Sequence, residues 1–181
     1  MHSAHWHLLL NHVPVLGIWF ALAWMLAALI LRNAVMVRSS WVALIVCALA
    51  AIPVYLTGEP AEEIVEHLPG VSKAILEQHE DIAQIAFFAM EVLGGLALGA
   101  LAVSWRNEKW LRPLAVTSLL ITTLCGAVLG YTAYLGGEIR HSEIRPNAPS
   151  VTLPALRSQS GNMRIRSSST NSFRLHSRTA S

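Results

Sequence analysis

The sequence predicts an all-α integral membrane protein, an up-and-down four-helix bundle followed by a disordered C-terminal tail. Of its 181 residues, 54% are hydrophobic and 13% are charged, whereas soluble domains carry about a quarter charged residues. Four apolar stretches approach or exceed the ~20 residues that cross the hydrocarbon core of a bilayer. They are residues 8–31, 41–58, 82–104 and 111–135.

The first span begins with a histidine-rich segment, HWHLLLNHVPVLG over residues 5–17. Pro14 has no backbone N–H, so we expect the helix either to start near His12 or to kink there. His5 and His7 precede the span, and we expect both to be solvated at the membrane surface.

The second span is followed by an acidic connection to the third. Pro60 suits the first turn of a separate short helix that ends at His67. Ser72 is a suitable cap for the third helix, which the sequence predicts to continue without a break to Ser104. The third span is therefore longer than the bilayer requires.

The charges of the loops predict the orientation. Arg32 and Arg38 follow the first span, and Arg106 and Arg112 surround the loop after the third, whereas residues 59–81 hold seven acidic residues and a single lysine. Short basic loops stay in the cytoplasm. The sequence therefore predicts a multi-pass protein of the bacterial inner membrane with both termini in the periplasm.

Composition changes at residue 146, where the chain becomes rich in Ser and Arg. Such a segment cannot bury enough apolar surface to offset the entropy of folding. We therefore predict a membrane domain at residues 1–145 and a disordered basic tail at residues 146–181.

Polar side chains concentrate at one end of the predicted bundle, where spans one and three begin and spans two and four end. The members of this cluster that could bind a ligand are His7, His12, His79, Glu80, Tyr131, Tyr134, Glu138 and His141. Glu91 lies deeper, inside the third span, and is the candidate catalytic or proton-relay residue. A protonated Glu91 bonded to a neighbouring helix is the structural alternative.

Haem b is the predicted cofactor, because two imidazoles at similar depth on facing helices suit an axial ligand pair. His12 and His79 meet that condition, and a buried structural role for both is the alternative. The sequence has no Cys-x-x-Cys-His motif, so the haem would be bound without a covalent link. The further candidates for contact with this cofactor are His7, His141, Tyr131 and Tyr134.

A non-haem metal is the rival cofactor. Its candidate ligands are His12, His79, Glu80 and Glu138. A di-iron bundle would use the Glu-x-x-His motif twice, and only Glu138-x-x-His141 fits.

In these same motifs the chain resembles a bacterial family of small four-helix membrane proteins of unknown function. The matching elements, in order, are His7, His12-Val13-Pro14, Thr57-Gly58-Glu59-Pro60-Ala61-Glu62, His79-Glu80 and Gly136-Gly137. The resemblance covers about residues 5–145 and implies the four-helix fold. The histidine pattern also invites an analogy with b-type cytochromes.

The predicted function is electron transfer in the membrane by a redox cofactor. The alternative is a non-catalytic assembly partner, or a sensor of metal or pH, that uses the same His/Glu cluster. The predicted partners are membrane lipid, a redox protein such as a cytochrome, and a second copy of the chain. No feature of the sequence points to nucleic acid.

Overall fold

The computed structural model describes residues 3–68 and 70–140, and it confirms the predicted all-α, up-and-down bundle. A 3₁₀ turn at Glu108–Trp110 precedes the last helix. The helices are α1 (Ser3–Leu10), α2 (His12–Ile30), α3 (Ala34–Val65), α4 (Lys73–Arg106) and α5 (Leu111–Arg140).

Within residues 3–68 and 70–140, four helical segments are long and apolar enough to cross a membrane. The first combines α1 with α2, and the other three correspond to α3, α4 and the 3₁₀ turn with α5. The chain is therefore a multi-pass membrane protein. The predicted tail, residues 146–181, lies outside the described residues.

The first span is broken at Asn11, between α1 and α2. Pro14 follows in the first turn of α2, where a missing N–H is tolerated. Of the two sequence-based expectations, a helix start near His12 or a kink, the structure has the helix start. It also adds the short helix α1 ahead of that start.

The expectation of a separate helix over residues 60–67 is wrong, because α3 continues through Pro53 and Pro60 to Val65. Pro53 and Pro60 lack the N–H groups that would bond the Leu49 and Leu56 carbonyls, and α3 continues without those two bonds. The Thr57 hydroxyl donates to a different carbonyl, that of Pro53, with an O–O distance of 2.8 Å. Ser72 does take the N-cap position of α4, but its side chain makes no capping hydrogen bond.

The helices form a four-cornered bundle. α3 packs against α2 and α4, and α5 packs against α4 and α2, so that α2 and α4 occupy opposite corners. The short α1 extends α2 and lies against α3. α1 and the start of α4 therefore lie at the same end of the bundle, which we call the histidine end.

Close helix packing in this bundle depends on small residues. A Cβ added at Gly94 of α4 would collide with the Ala48 side chain of α3. Gly126 and Gly130 of α5 accept the indole of Trp19, which would lie 3.6 and 3.7 Å from a Cβ at those positions. These contacts supply the van der Waals packing that joins helices inside a membrane.

Trp41 links α3 to α5 through a buried polar contact of the core. Its indole Nε1 donates to the Ser118 hydroxyl at 3.0 Å, and the indole is fully buried. Ser118→Ala should lower the free energy of unfolding in detergent by about 1 kcal/mol, because the indole N–H loses its acceptor. Ser39→Ala is the matched control, since its partner Trp24 is exposed. An equal loss in both variants would contradict this assignment.

Candidate histidine site

His7 points into the bundle rather than into solvent, contrary to the sequence-based expectation. It is half-buried, and its Nδ1 lies 3.0 Å from the Val54 carbonyl of α3. A carbonyl only accepts hydrogen bonds, so Nδ1 carries the proton. The Thr57 hydroxyl lies 3.3 Å from the same nitrogen. The edge of the ring faces Gly58, where an added Cβ would lie 3.8 Å from Cε1.

His79 has the corresponding arrangement on the opposite corner of the bundle. It is half-buried on α4, and its Nδ1 donates to the Thr132 carbonyl of α5 at 3.0 Å. The edge of this ring faces Gly136, where an added Cβ would lie 3.3 Å from Cε1. A Cβ at this position would make a tight contact, so the imidazole would have to shift by a few tenths of an ångström.

The two histidines repeat one pattern. Each donates Nδ1–H to a carbonyl of the next helix, and in each case a glycine follows that carbonyl by four residues, at Val54 and Gly58 and at Thr132 and Gly136. His7 lies on the short helix that extends α2, and His79 lies on α4, the helix diagonal to α2. The same pattern therefore occurs once in each half of the bundle.

This arrangement leaves Nε2 of each ring as the nitrogen with a lone pair. Metal-bound histidines usually donate their other ring N–H to a carbonyl or carboxylate, which fixes the tautomer and the ring orientation. His7 and His79 both have this hydrogen bond already. They are consequently oriented as ligands would be.

His12 has a different environment from the one proposed for an axial ligand. Its side chain is exposed, and its Nδ1 donates to the Leu8 carbonyl one turn earlier, at 2.6 Å. At the histidine end, His7 and His79 are therefore the half-buried imidazoles, whereas His12 faces outward. His141 lies outside the described residues.

The tyrosines named as cofactor contacts lie on the exposed side of α5. Tyr131 and Tyr134 are each about half exposed, and their rings stack with centroids 6.4 Å apart. Gln78 donates to the Tyr131 hydroxyl at 2.9 Å. The Tyr134 hydroxyl donates to buried Glu138 at 2.6 Å. Neither phenol is bonded to His7 or His79 in the described part of the chain.

The carboxylates proposed as metal ligands are separated. Glu138 is bonded to Tyr134 on α5, whereas Glu80 lines an open cavity of about 220 Å³ between α3 and α4. Within residues 3–68 and 70–140, no three His, Cys, Asp or Glu side chains come together as a metal site. The other residues that line the cavity are Glu59, Glu62, Glu63 and Glu66.

The sequence interpretation did not include Val54 and Thr132 among the site residues, and it named Gly58 and Gly136 at this end of the bundle without giving them a role. Backbone carbonyls cannot be recognised in a sequence. The glycines can be, because Gly58 lies near the end of α3 and Gly136 lies near the end of α5. No protein-family model, curated protein or solved structure matches this chain. The resemblance to the family of small four-helix membrane proteins therefore stays a prediction.

Proposed function

We propose that this protein is a membrane electron-transfer protein that holds haem b with His7 and His79 as its two axial ligands. The observation that carries the proposal is the matched pair of Nδ1–H bonds to the carbonyls of Val54 and Thr132. Both bonds direct Nε2 toward a ligand role. The proposal replaces His12 with His7 as the partner of His79.

The donor set suits haem better than a bare metal ion. A porphyrin supplies four nitrogens, so a six-coordinate iron needs only two ligands from the protein, and the site offers two imidazoles. A protein-only zinc site uses three or four side chains. When bound, haem b supplies reversible one-electron chemistry, with a potential set by its axial ligands and surroundings.

Neighbouring residues would hold the imidazole rings of His7 and His79 in place. The Val54 and Thr132 carbonyls fix the tautomers, and Thr57 adds a second polar contact to His7. Phe87 and Tyr55, stacked with ring centroids 4.3 Å apart, contribute aromatic surface between α3 and α4. The same proposal includes a redox partner protein and a location in the bacterial inner membrane, with both termini of the chain outside the cytoplasm. The basic loops support that orientation.

Haem binding by single variants tests this proposal. The full chain and its His7→Ala and His79→Ala variants are purified in detergent and titrated with haemin, with the Soret band as readout. We expect one haem per parent chain and loss of the six-coordinate spectrum in both variants, because alanine supplies no nitrogen.

His5→Ala and His12→Ala are the matched controls, since both side chains are exposed. They should retain the parent spectrum and stoichiometry. Loss of haem in His12→Ala with retention in His7→Ala would support the pair His12 and His79 predicted from the sequence. It would contradict the pair His7 and His79. A parent that binds no haem would favour the alternative of an assembly partner or a sensor of metal or pH, for which the acidic cavity beside Glu80 is the supporting feature.

A further inference from the structure

Glu91 is the charged residue that lies deepest in the apolar part of α4. Asp81 is ten residues before it and Arg106 is fifteen residues after it. At a rise of 1.5 Å per residue, these charges lie about 15 and 22 Å away along the helix axis. Glu91 is therefore well within the depth of the hydrocarbon core.

The Glu91 carboxyl lies at the boundary between the helix interface and the lipid-facing surface. Its Oε1 is buried and has no hydrogen-bond partner in residues 3–68 and 70–140. The side chain as a whole is half-buried, between buried Met90 and exposed Val92. A polar group in this position needs a partner or a function.

The flank of α4 that carries Glu91 faces α3. Gln84, Phe87 and Glu91 are spaced by three and four residues and so share one flank. Gln84 lies 3.5 Å from the Tyr55 hydroxyl, and Phe87 stacks on the same tyrosine. Farther along α4, Gly94 touches Ala48. Glu91 consequently lies beside α3 between the levels of Tyr55 and Ala48.

This part of α3 offers no cation. Residues 49–54 are Leu, Ala, Ala, Ile, Pro and Val. Pro53 has no N–H, so it leaves the Leu49 carbonyl without its helical donor. On the helices that pack against α4, the titratable groups nearest in register are Cys47 and Tyr55 of α3 and Cys125 and Tyr131 of α5.

None of these groups is basic, so an ionised Glu91 would be a buried charge without a counter-ion. Such a charge is strongly disfavoured in a low-dielectric interior. A neutral carboxylic acid avoids most of that cost and supplies an O–H donor. The surroundings therefore favour the protonated form.

Polar groups lead from the histidine end part of the way toward Glu91. Glu80 lines the acidic cavity and lies one turn before Gln84 on α4. Gln84 and Tyr55 then form a polar pair at the α3–α4 interface. Glu91 lies two turns deeper on the same flank.

We propose that Glu91 is a proton-binding site that exchanges with the acidic cavity through Gln84 and Tyr55. The chemistry is a proton transfer alone: a carboxylate oxygen of Glu91 gains a proton from a hydronium ion of the cavity, which becomes water, and no oxidation or reduction takes place. This inference does not depend on the cofactor, so it stands or fails separately from the haem proposal.

Infrared spectroscopy of the full chain in lipid nanodiscs tests this site. At neutral pH, the difference between the parent and Glu91→Gln should contain a C=O band of a neutral carboxyl group that shifts in D₂O. Glutamine preserves the shape of the side chain, and far-UV circular dichroism checks that the variant is folded. Absence of a neutral-carboxyl band from Glu91 would overturn the proposal.

The access path has its own matched pair of variants. Gln84→Leu removes the partner of Tyr55, whereas Gln78→Leu removes the equivalent partner of Tyr131 on the opposite flank of α4. We expect the hydrogen–deuterium exchange of the Glu91 band to slow several-fold in Gln84→Leu and to stay at the parent rate in Gln78→Leu. Equal exchange rates in the two variants would contradict the path.

Discussion

Gly136→Val should abolish haem binding while leaving the bundle folded. Even a Cβ at this position would approach Cε1 of His79 to 3.3 Å, and the two methyl groups of valine need more space. The imidazole would be pushed away from the Thr132 carbonyl that orients it. The measurement is haem stoichiometry from the Soret band, combined with far-UV circular dichroism.

Gly58→Ala is the control for this prediction. Its Cβ would lie 3.8 Å from Cε1 of His7, an ordinary van der Waals distance. The variant should bind haem as the parent does. Full haem binding by Gly136→Val would show that the glycine is not needed to accommodate the His79 ring.

Gly94→Ala should lower the free energy of unfolding by about 1–3 kcal/mol, the usual cost of overpacking a filled core. The new methyl group would collide with the Ala48 side chain, so α3 and α4 would have to separate. Unfolding in mixed micelles of increasing SDS content measures the loss.

Two further variants decide whether this collision is the cause. Adding Ala48→Gly to Gly94→Ala moves the methyl group from one helix to the other and should recover most of the lost free energy. Gly95→Ala should cost nothing or stabilise the helix, because a Cβ there meets no atom within 4 Å and alanine has the higher helix propensity. Equal losses in Gly94→Ala and Gly95→Ala would contradict the packing argument.

The bundle was predictable from the sequence because length and apolarity alone define the spans. Helix breaks were harder, since a proline ends a helix only when its surroundings do not compensate. Pro60 suggested a new helix, but α3 continues through it. A helix can continue through a proline if packing outweighs the lost hydrogen bond, and the packing of α3 against its neighbours depends on the folded geometry.

The choice between His7 and His12 shows a second limit. Five residues correspond to about 500° of helix rotation, so the two side chains lie roughly 140° apart around a helix. The sequence therefore indicates that only one of them faces the interior. Which one does so depends on how α1 packs against α3, where Gly58 and the Val54 carbonyl receive His7.

Low-temperature electron paramagnetic resonance of the haem-reconstituted protein tests the central claim most directly. With His7 and His79 as the two axial ligands, the ferric parent should give a low-spin signal, and each single alanine variant should convert it to high-spin or lose it. His12→Ala should leave the low-spin signal unchanged. A low-spin signal that survives in both His7→Ala and His79→Ala would contradict the account.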